Sequence, residues 1–122
     1  MLKVSASQRA AMSIAVDARR ARELADAIHP ELRAQGPDVM KAYAEDVAHG
    51  TILDTITQCY ARGIRDKDQI LNLCYIRFII NADVFKHESF AYILNNGLMH
   101  PYAKARHLIL SFFAINAMRA GA

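Results

Sequence analysis

A chain of 122 residues, 53% hydrophobic and 22% charged, has the make-up of one globular domain spanning residues 1–122 and not of a disordered or fibrous chain. Folding at this length buries roughly two thirds of the unfolded surface, enough for a core. The net charge of +3 is too small to mark a nucleic-acid binder by itself, and two cysteines, Cys59 and Cys74, are too few for a disulfide framework.

The N-terminal stretch MLKVSASQRAAMS lacks the apolar centre of a signal peptide. The longest apolar runs, ILNLCYIRFIINADVF and LILSFFAINAM, fall short of the roughly 20 uninterrupted apolar residues that cross a bilayer. A cytoplasmic protein with no membrane insertion is expected.

Helical spacing runs through most of the chain, with no sustained alternation of strand type. The first helix is expected from Ser7 to Ile28, ending ahead of Pro30. Its apolar face is Ala10, Ile14, Ala18, Ala21, Ala25 and Ile28. Met12 and Val16 lie on the opposite side, among Arg9, Arg19 and Arg20. Apolar anchors ringed by arginine are common at interfaces, so these five residues form a candidate partner-binding patch. The other reading places Met12 and Val16 beneath a neighbouring helix.

Pro37 suits a first helical position, and Gly63 closes a second helix near Arg62. Gly50 interrupts it. Either Thr51 caps a separate helix, or one helix continues and Gly50 lets a neighbouring backbone approach; the continuous helix is preferred. Asp66 and Gln69 stand at capping-box spacing and open a third helix. Ile70, Leu71, Leu73, Cys74, Tyr75, Ile76, Phe78, Ile79 and Ile80 then surround its axis. A helix apolar all round is buried among others, so this is expected to be the central one. Arg77 within it needs an acid, and Asp83, Asp54 and Glu88 are the candidates for a bundle-edge ion pair. A short helix over His87–Asn95 ends at the NNG turn. The last helix runs from Pro101, capped near His100, to Met118, and its apolar second half belongs in the core. The expected fold is all-α: a single compact bundle of about five helices with a buried central helix.

No chemistry-bearing motif accompanies these helices. There is neither a glycine-rich phosphate loop nor a nucleophile elbow. His29, His49, His87, His100 and His107 never pair at the close spacing of helical metal sites, so no metal or other cofactor is expected. Glu45, Asp46 and Asp54 read as a solvated helix face. Two cysteines among apolar residues read as inert packing groups. Arg19, Arg20 and Arg22 form the densest basic cluster, diluted by Glu23 and Asp26. No catalytic residue is assigned, and the protein is not expected to be an enzyme; a small helical nucleic-acid-binding module is a further alternative.

The order of several short motifs is distinctive: a Gln/Arg/Ala-rich first helix ending IHPEL, then HGTILDTITQCYARGI, INADVF and YILNN. In this order the chain resembles a group of small helical proteins encoded beside bacterial type VI secretion genes. In that group a glycine-containing helix ends in a turn like Tyr60–Ile64, and an apolar helix ends in an element like NADVF, which here has no glycine at Asn81 or Ala82. The resemblance implies that Gly50 lies inside one helix. It implies a non-catalytic accessory protein that binds a secreted effector or its loading machinery, as an adaptor or co-chaperone. The alternative it implies is an immunity protein that binds and inhibits a cognate toxin.

Overall fold

A computed structural model describes residues 6–88, 90, 93 and 98–120, with side-chain surroundings for 15–88, 90, 93 and 98–115. Among these residues the fold is all-α, with no strand. Five helices follow in order: α1 (Ala6–Gln35), α2 (Pro37–Met40), α3 (Glu45–Ala61), α4 (Lys67–Ile80) and α5 (Pro101–Ala120).

The first helix does not end ahead of Pro30. The proline sits inside α1, where it removes one backbone donor. Pro30 and Asp26, four residues earlier, are both exposed, so the weakened turn faces solvent. The added turns bury Leu32 completely and bring Arg33 to the segment that follows α2. Ala21, Ala25 and Ile28 are buried as expected, whereas Ala18 is exposed. The side chains of Ala10 and Ile14 lie outside the described residues.

The expected second helix is two helices, and the break is not at Gly50. The break falls at residues 41–44, where Arg33 binds. Its guanidinium donates to the Met40 carbonyl at 3.2 Å and the Tyr43 carbonyl at 3.0 Å. The Met40 carbonyl also accepts from the Tyr43 N–H at 3.0 Å, in the turn that closes α2. Ala44 is extended (φ −65°, ψ 154°), and its carbonyl accepts from Ala48 to start α3 afresh. Gly50 lies within α3, and a Cβ built there meets nothing within 4 Å, so no neighbouring backbone approaches it. The close approach is at Gly36 instead, whose added Cβ would collide with the Tyr75 ring. Gly63 does end the helix, at φ +78°.

Half of the expected capping box forms: the Asp66 side chain accepts from the Gln69 backbone N–H at 3.0 Å, whereas the Gln69 side chain donates to the Tyr102 carbonyl and does not accept from Asp66. Packing against α1, α2, α3 and α5 makes α4 the central helix. Leu73, Cys74 and Ile76 are fully buried and Phe78 nearly so, while Ile79 is exposed, so the helix is not enclosed on every side. At its end Asn81 adopts the left-handed conformation (φ 52°, ψ 43°), a position suited to glycine and, after it, asparagine. The Tyr43 hydroxyl donates to the Phe78 carbonyl at 2.9 Å, satisfying one of the orphan carbonyls of the last turn, and lies 3.2 Å from Asn81 Oδ1.

Glu88, Phe90 and Ile93 are helical, while most of the expected short helix and its NNG turn lie outside the described residues. Phe90 and Ile93 are buried. At the start of α5, His100 Nδ1 accepts from the Tyr102 N–H at 3.2 Å, the expected cap.

Candidate functional site

Two faces of the bundle are candidates. The first is the patch on α1. Val16 is 37% exposed, and Arg19 and Arg20 are exposed beside it. The side chains of Arg9 and Met12 lie outside the described residues. Next to this patch, a groove of about 260 Å³ runs between α1 and the end of α3, floored by Ala18, Ala21 and Ala61. Small side chains on both helices leave this space. One rim is built by Arg65, which makes a two-pronged contact with Asp17 at 3.1 and 3.2 Å and lies 4.7 Å over the Tyr60 ring. The Arg65 hydrogen bonds hold the Asp17 carboxyl below the usual carboxylate range, with the charge of Arg20 adding to the effect.

The second face is on α5. The apolar second half of this helix is only partly core, contrary to expectation. Leu108, Ile109 and Phe112 are buried, but Leu110 is 58% and Ile115 49% exposed, with Phe113 and Tyr102 exposed too. Among the described residues the helix packs on α4, and Phe90 also meets Phe112 edge to face at 6.2 Å. Tyr102, Arg106, Leu110 and Phe113 follow at i, i+4, i+8 and i+11 and therefore share the uncovered stripe. Arg106 within that stripe was the one sequence signal of exposure. A cleft of about 230 Å³ between α4 and α5 borders it.

Arg77 has a structural setting. It donates to Asp54 at 2.7 Å and to the buried Thr55 hydroxyl at 3.0 Å. Of the three candidate acids, Asp54 is the partner. Gln58 links Asp54 (2.9 Å) to Asp83 (3.0 Å), which extends the network to the segment after α4. Burial works to raise the Asp54 pKa, but hydrogen bonds from Arg77 and Gln58 outweigh it and hold the group low.

The titratable groups offer little for chemistry. Cys59 and Cys74 are buried thiols, and burial pushes both up, Cys74 to about 12. His29 is buried, and its Nε2 accepts from Arg33 Nε at 2.8 Å. Burial first, then the Arg33 charge, lowers its pKa. Among the described residues, no three His, Cys, Asp or Glu side chains are grouped to hold a metal ion, and no helix is long and apolar enough to cross a membrane. No family model, curated protein or solved structure matches the chain.

Proposed function

We propose that this is a non-catalytic, protein-binding accessory protein of a type VI secretion system, an adaptor or co-chaperone that holds a secreted effector or part of its loading machinery. The observation that carries the binding reading is the uncovered α5 stripe, where Tyr102, Leu110 and Phe113 present apolar surface around Arg106. Aromatic and aliphatic anchors with an arginine are the composition of interface centres. The secretion context rests on the motif order from IHPEL to YILNN.

The test is co-expression with the products of neighbouring secretion genes, followed by purification through this chain. Recovery of an effector that keeps its activity supports the adaptor. Recovery of an effector whose activity is abolished supports the immunity alternative. Recovery of none of these products, under conditions where the chain is folded, contradicts the reading.

A further inference from the structure

The cleft between α4 and α5 has an interior unlike the rest of the surface. Asp66 and Asp68 stand on the α4 side, Arg106, Tyr102 and Leu110 on the α5 side, and Gln69 lies between them. Gln69 is only 7% exposed. Its Nε2 donates to the Tyr102 carbonyl at 3.0 Å, but its Oε1 has no partner, the one such buried side-chain atom among the described residues. Turning the amide over would not help, because the Tyr102 carbonyl only accepts. A buried acceptor is destabilising when left without a donor. The missing group is therefore a donor. Asp68 is exposed and has no ion pair among the described residues, so a charged donor fits better than a neutral one.

We infer that this cleft receives an arginine side chain of the partner protein, its guanidinium donating to Gln69 Oε1 and to the Asp68 carboxylate while lying against the Tyr102 ring. The inference rests on the protein-binding reading above, since Tyr102 and Leu110 belong to both the cleft and the α5 stripe. Arginine is the fitting cation for a site that needs several donors and a flat face at once. The molecule already uses this arrangement elsewhere: Arg65 pairs with Asp17 across the face of Tyr60. Tyr102 is half exposed, so its ring offers an open face beside the cleft.

The test uses the full chain and arginine methyl ester, which carries the guanidinium without a carboxylate. Titration is followed by ¹H–¹⁵N NMR at the Gln69 side-chain amide and the Tyr102 backbone amide. Saturable shifts at both are expected, and Asp68→Asn should weaken binding about tenfold, in line with one charge-assisted hydrogen bond. Gln69→Leu, which removes the orphan oxygen but keeps an apolar filling, should abolish the shift at the Tyr102 backbone amide, the readout that remains in this variant, while the melting temperature holds or rises. Shifts that survive both substitutions overturn the site, as do shifts elicited equally by acetate or absent altogether. Failure here, with a partner still held through Leu110 and Phe113, removes only the arginine anchor. Specific binding of the probe, with no secretion-gene product recovered, removes the functional reading instead.

Discussion

Arg77 on α4 reaches Asp54 on α3 at 2.7 Å and, with the same nitrogen, the Thr55 hydroxyl at 3.0 Å. The Arg77 side chain is 18% exposed and that of Asp54 53%, so the pair sits at the edge of the core. Arg77→Ala should destabilise by about 1–3 kcal/mol, the scale for charged hydrogen bonds in a partly buried setting. Asp54→Asn should cost under about 1 kcal/mol, because its exposed carboxylate is screened. Urea denaturation checks both. An Arg77→Ala variant that unfolds like the parent, yet loses partner binding, would move Arg77 from the scaffold to the site.

The two glycines should respond with opposite signs. Gly50→Ala replaces an exposed glycine inside α3 where a methyl group meets nothing, so a gain of about 0.5–1 kcal/mol is expected. Gly36→Ala drives a methyl group into the Tyr75 ring, and a loss of about 1–3 kcal/mol is expected. Thermal melts of the two variants decide it, and a loss at Gly50 would reinstate a close neighbour there.

Much of this was legible in the chain, for reasons of range. Asp66 caps α4 through a contact three residues away, and Gly63 closes α3 through its own backbone, so local sequence sufficed. The α2–α3 break falls where Arg33 reaches Tyr43 from another helix, and no local pattern announces it. Arg77 plainly needed an acid, but choosing Asp54 over Asp83 or Glu88 depends on how α3 and α4 sit side by side. At the end of α4 Asn81 itself takes the left-handed turn, a conformation that its sequence neighbourhood alone does not fix. On α5, hydrophobicity alone suggested a core helix. Among the described residues Leu110 and Phe113 are uncovered because α5 packs on α4, a fact of topology.

Acid should act through His29. Its neighbours are Arg33 on its own helix, with Glu45 at 3.6 Å and His49 on α3, their rings 6.1 Å apart. Burial and Arg33 lower its folded pKa below the ordinary 6.5, so the unfolded chain binds the proton more readily. The stability from neutral His29 is therefore fully present above about pH 6.5 and declines as pH falls below that value toward the folded pKa. Stability measured by urea from pH 7.5 to 5 should fall on the acid side, and His29→Gln should flatten that fall. An unchanged slope in the variant would assign the effect to other groups.

The central claim is that partners bind across the α5 stripe. The most direct measurement is calorimetric titration of the co-purified partner against the parent and two double variants. One carries Leu110→Glu and Phe113→Glu; the other carries Val16→Glu and Arg20→Glu on α1. Leu110 and Arg20 are exposed, whereas Val16 (37%) and Phe113 (39%) are partly covered, so melting temperatures are measured first and affinities compared between folded variants. The account predicts that the α5 variant binds at least about thirtyfold more weakly, as expected for loss of an interface centre, while the α1 variant binds nearly as the parent does. Parent-like affinity in the α5 variant, with binding lost only in the α1 variant, would contradict it and place the interface on the other face of the bundle.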